Sequence, residues 1–152
     1  MKKFILLFVT VLMAVSCDIE DDGIVTMLTA AKVTETDLPE FFEGGKTYTV
    51  KVTYILPTAC HAAAGLDARR GADTGEEFRK IYIRGVASYN AVVTECNREV
   101  EEEELEKEGV FQITIPTSEE DPYTFYLWTG VDEDGENVYT EVVVPVGNPD
   151  EA

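Results

Sequence analysis

Cys60 stands beside His61, and a thiolate next to an imidazole is a ligand pair that suits copper or zinc. Two constraints weigh against that chemistry. Neighbouring side chains on a strand point to opposite faces, and two or three ligands do not close a metal site. A Cys–His nucleophilic pair needs the two groups within hydrogen-bond reach and a third group to orient them. The other reading of these residues is structural. With Cys17 set aside for the reason given below, Cys60 and Cys96 are an even pair, and in an exported chain such a pair reads first as a disulfide. The bridge would close a loop of about 36 residues, for which the chain-entropy model gives about 3.8 kcal/mol.

A second candidate is the turn Asp132-Glu133-Asp134-Gly135-Glu136-Asn137. Asp132, Asp134 and Asn137 offer hard oxygen ligands around a glycine, as calcium requires. The third acidic position and the distal bidentate glutamate of a calcium loop are missing, so the alternative is an acidic hairpin tip. A third candidate is aromatic. Trp128, Tyr126, Tyr82 and Tyr139 could include a platform for a sugar ring. If Phe125 and Leu127 face the core, alternation turns Tyr126 and Trp128 outward, and adjacent exposed aromatics mark binding surfaces. Acid–base catalysis would need paired carboxylates in a cleft, and among 30 Asp and Glu no such pair stands out. One histidine and no recognisable catalytic cluster make an enzyme the weakest reading, and no cofactor is implied.

The elements that must position these residues are strands. No stretch after Gly23 has a helical period, whereas strict alternation is common. Thr47–Tyr54 places Tyr48, Val50, Val52 and Tyr54 on one face and Thr47, Thr49, Lys51 and Thr53 on the other. Further strands are expected over Ile24–Val33, Phe78–Tyr89, Val110–Ile115, Tyr123–Thr129 and Val138–Val146, with short ones near Cys60 and over Ala91–Cys96. The Asp134-Gly135 step predicts a hairpin between the last two long strands. Gly65–Gly75 reads as a long polar loop, and Glu99–Glu108 as a charged edge strand or one or two helical turns. The pattern predicts an all-β fold, an immunoglobulin-like antiparallel β-sandwich of about seven strands, with Tyr123 as a candidate tyrosine corner.

The chain has 152 residues, enough for one domain with its own core. A formal charge of -18 argues against nucleic-acid binding, because a phosphate backbone wants a basic face. Residues 1–16 have the form of a signal peptide: Lys2 and Lys3 precede an apolar run from Phe4 to Val15, too short to span a bilayer. Ala14-Val15-Ser16-Cys17 resembles the lipobox of bacterial lipoproteins, in which the cysteine becomes the lipidated N-terminus. Residues 17–23 would then be the lipidated Cys17 and an acidic tether, 24–147 the sandwich domain, and 148–152 a C-terminal tail. The tether Asp18-Ile19-Glu20-Asp21-Asp22 resembles the export signal of surface-displayed lipoproteins in the Bacteroidetes group.

The runs Leu56-Pro57-Thr58-Ala59-Cys60-His61, Tyr123–Gly135 and Val142-Val143-Val144-Pro145-Val146, with Cys96 between them, extend the likeness. Together they resemble small uncharacterised Bacteroidetes-type lipoproteins with a single β-sandwich domain. The resemblance implies an address and a fold but no activity. The expectation is therefore an outer-membrane lipoprotein, held to the membrane by its lipid and facing the surface or else the periplasm. It would serve as a non-enzymatic binding or accessory module for a protein or a glycan, with calcium, zinc or copper binding as the alternative.

Overall fold

The computed structural model describes residues 25–147 apart from 94 and 97. The expected signal peptide, Cys17 with its tether and the tail 148–152 lie outside the described residues. Within them the chain forms strands β1 (Thr26–Thr36), β2 (Thr47–Ile55), β3 (Ala62–Arg70), β4 (Lys80–Asn90), β5 (Glu106–Thr114), β6 (Tyr123–Val131) and β7 (Asn137–Val144). A 3-10 turn at Glu76–Arg79 leads into β4, and a single helical turn at Glu102–Leu105 leads into β5.

Alternation decides which side chains go inside. On β2, Val50, Val52 and Tyr54 are buried while Thr47, Thr49 and Lys51 face water. On β4 the inward row is Ile81, Ile83, Gly85 and Ala87, and on β6 it is Tyr123, Phe125 and Leu127. Most of these residues meet Val33 of β1, Ile113 of β5, Val144 of β7 and Phe42 in the main core, while Tyr54 and Ala87 join Ala31 and Leu56 in a second, smaller cluster. Burying each such side chain contributes roughly 1.5–3 kcal/mol. Tyr54 sits over a position that only glycine allows: a Cβ at Gly85 would lie 2.4 Å from the tyrosine Cδ2.

The strands run in the order β5-β2-β1-β4-β6-β7, with β3 on the other edge of β4, and fold over the core as a sandwich. β4 is the hub. One edge pairs with β3 from Ala62↔Ser88 to Arg70↔Ile81. The opposite edge is shared between two strands. Thr26–Ala31 of β1 run antiparallel to Gly85–Asn90, and Thr124–Leu127 of β6 run parallel to Lys80–Ile83. Beyond Ala31 the first strand leaves this layer, bulges between Val33 and Glu35 and pairs with β2. β2 in turn pairs with β5, and β6 with β7.

The all-β, seven-stranded expectation holds, with four differences in detail. The β4–β6 pair is parallel, so the pairing is mixed rather than wholly antiparallel. The expected loop from Gly65 is strand as far as Arg70, because β4 supplies a partner along its whole length; Gly65 takes φ +128 at a bulge that no other residue accepts easily. Ala91–Cys96 is no strand among its described residues: the Asn90 side chain accepts from the Val92 amide at 3.0 Å and turns the chain out of the sheet. Tyr123 is no tyrosine corner, since its buried hydroxyl has no hydrogen-bond partner among the described residues. Burial raises the Tyr123 phenol pKa, and the neighbouring Arg70 works against the shift.

Candidate functional site

Cys60 and Cys96 form a disulfide with 5.7 Å between their Cα atoms. Cys60 lies just before β3 and Cys96 six residues after β4, so the bridge closes the base of the β3–β4 hairpin rather than tying down a loop. A sulfur in that bond is neither a thiolate ligand nor a nucleophile. His61 lies in a turn, not on a strand. Its amide donates to the Thr58 carbonyl at 3.1 Å, its Nδ1 meets the Thr58 hydroxyl at 2.8 Å, and its ring packs 5.2 Å from Tyr89. The imidazole is thus a packing and hydrogen-bonding group beside the disulfide.

The acidic turn is held by one carboxylate oxygen of its own. Asp132 Oδ1 accepts from the amides of Asp134 at 3.0 Å and Glu136 at 2.8 Å. Asn137 Oδ1 accepts from the Trp128 indole at 2.8 Å. Of the three proposed calcium ligands, Asp132 and Asn137 each have one oxygen engaged as turn and indole partners while both residues stay exposed, and Asp132 Oδ2 and the carboxylate of Asp134 take no part in these bonds. Among the described residues no three His, Cys, Asp or Glu side chains come together as metal ligands.

The aromatic residues do gather. Phe125 and Leu127 are buried, which turns Tyr126 and Trp128 to the outer face of the β4–β6–β7 layer. Register brings Tyr82 beside Tyr126 and Trp128 beside Tyr139. Tyr82 and Tyr126 stack 4.8 Å apart at 13°, and Tyr139 meets both edge-on at 5.7 and 6.2 Å. The expectation of a tyrosine platform needs correction here. Tyr82 and Tyr126 cover each other's faces, as cross-strand aromatics do, so they stand as a ridge rather than lie as a plate. Burial raises the Tyr126 phenol pKa, and Glu141, its cross-strand neighbour, raises it further.

Trp128 is different. It stacks on no other aromatic ring among the described residues, and it lines a groove of about 440 Å³. The groove sits in the fork where β1 leaves the layer and β6 takes its place along β4. Ala30 and Lys32 form one side, Trp128, Thr129 and Gly130 another, and Leu56, Pro57 and Leu105 close the far wall. No family model, curated protein or solved structure matches this chain. The site therefore rests on its own geometry: a mostly apolar concavity of ligand size, one indole in its wall, and Lys32 and Glu102 among its lining residues.

Sequence reasoning found Tyr126 and Trp128 but not the groove. Its walls come from residues 30–32, 55–57, 102–105 and 128–130, which only the crossing of β1 brings together. The larger groove near β2, about 470 Å³, is acidic and already holds Lys51, whose ammonium meets Glu108 at 3.0 Å.

Proposed function

We propose that this protein is an outer-membrane lipoprotein of Bacteroidetes type, anchored through Cys17, whose domain is a non-enzymatic glycan-binding module. The lipobox, the acidic tether and the short apolar leader support the address. One observation carries the binding role: Trp128 forms a wall of an apolar groove on the outer face of the sheet. A sugar ring presents C–H groups on its faces and hydroxyls on its rim. The indole and the aliphatic wall suit the first, and Lys32, Glu102 and Thr129 suit the second. An apolar peptide side chain would leave those charged groups without partners, which favours the polyhydroxyl ligand.

The test is a glycan array probed with labelled protein and with Trp128→Ala. The expected result is retention on at least one glycan, reduced at least tenfold by the substitution. Retention that ignores Trp128, or no retention on any glycan, would overturn the reading.

A further inference from the structure

The charge around Asp67 opposes the charge of the chain. Elsewhere several basic side chains sit against acids: Lys46 with Glu43, Lys51 with Glu108, Lys80 with Glu76 and Glu77, Arg79 with Glu119 and Asp121, while Arg70 and Lys107 donate to backbone carbonyls. At Asp67 the ratio inverts, while Glu141 stands on the same outer face beside Tyr126. Asp67 alone serves two guanidiniums, Arg84 at 2.9 Å and Arg69 at 3.1 Å, and both arginines remain well exposed. Lys32 makes no ion pair among the described residues. A chain of formal charge -18 thus keeps a local excess of one cation around Asp67, whereas in the groove Lys32 shares the lining with Glu102.

These cations are connected to the groove. A second depression of about 330 Å³ lies beside Arg84 and Asp67, with Leu28 and Val86 among its lining residues. Ala30 lines both depressions. Its methyl group leaves a low sill between them, so an extended chain can run from Arg84 over Ala30 to Trp128. We propose that the ligand is an acidic polysaccharide. One sugar packs on Trp128, and a carboxylate further along the chain pairs with Arg84 and Arg69, displacing part of their shared hold on Asp67. This rests on the glycan-binding reading above and narrows it to uronate-bearing polymers. Planar guanidiniums favour the carboxylate because they can meet both of its oxygens.

The experiment is native electrophoresis of the protein in gels containing polygalacturonate, alginate or hyaluronan, each compared with its carboxyl-reduced form. Retardation by at least one acidic polymer is expected, at least tenfold weaker in its reduced form. Retardation should fall as salt rises. Arg69→Gln/Arg84→Gln should lower affinity for the acidic polymer at least tenfold and leave the melting temperature and the mobility rank in polymer-free gels nearly unchanged. Ala30→Leu should block the passage without altering charge. Equal or stronger retardation by a reduced polymer would overturn the acidic assignment while leaving glycan binding intact. No retardation by any of the six polymers would overturn both.

Discussion

On the β2–β5 layer the outward rows are Thr47, Thr49, Lys51 and Thr53 against Thr114, Gln112, Val110 and Glu108. These groups satisfy one another: the Thr47 and Thr114 hydroxyls meet at 2.8 Å, Gln112 donates to Thr49 at 3.4 Å, and Lys51 pairs with Glu108 at 3.0 Å. On the β3–β4–β6–β7 layer the outward rows hold three tyrosines, Trp128 and two arginines that share one carboxylate. The first face is finished as a solvated surface. The second leaves an indole wall and two exposed guanidiniums that share one carboxylate, and such groups are what a ligand uses. β2 on the first face and β6 on the second alternate with equal regularity, so amphipathicity alone does not tell a binding face from a wet one.

Several substitutions break or sharpen this contrast. Phe125→Ala removes a fully buried ring beneath the aromatic face, and should cost about 3–5 kcal/mol in chemical denaturation. It should abolish polymer binding along with stability, because β6 carries both rows. Cys60→Ser/Cys96→Ser should cost about 3.8 kcal/mol by loop entropy. Its effect should concentrate in β3 and β4, read as faster amide exchange there than in β2 and β5; equal acceleration everywhere would contradict the hairpin-staple account. Trp128→Phe loses the indole bond to Asn137 and should cost about 1 kcal/mol. Binding should fall by more than that stability loss explains, since the groove wall also shrinks.

A pH titration separates the inner and outer phenols. The pKa values of Tyr54, Tyr123 and Tyr126 are all raised, chiefly by burial. Folding therefore favours the neutral phenol. The associated stability is fully present below the ordinary tyrosine value of roughly 10 and is lost as pH rises through the folded values. Phenolate absorbance should thus lag behind that of free tyrosine, and Tyr126→Phe should remove one late-titrating group. An unchanged titration curve would contradict the half-buried ridge. The smallest effects belong to the wet face. Thr49→Ala and Lys51→Gln should leave binding unchanged and shift the melting temperature little, because exposed pairs contribute little.

How much was legible follows from how local each signal is. Alternation in Thr47–Tyr54 and Tyr123–Trp128 is written residue by residue, so the strands, the buried rows and the outward Tyr126 and Trp128 could be read directly. Strand β3 could not. Ala62-Ala63-Ala64-Gly65-Leu66-Asp67-Ala68 has little strand propensity and no apolar face, and it is a strand because β4 offers it a partner. The acidic turn was legible as a turn but its bond to the indole was not, since the Trp128–Asn137 bond spans a hairpin whose bulge sets its register.

The sequence by itself determined the all-β class, the inward and outward rows of the long strands and the pairing of the only two cysteines left once Cys17 is set apart, because each depends on period-two geometry or on counting. The tertiary structure alone decided the site. The β1 crossover opens a groove between Ala30 and Trp128, and the β3–β4 register sets Arg69 and Arg84 on one Asp67. Those meetings join residues as much as 98 positions apart, and no local pattern encodes which edges a strand will share.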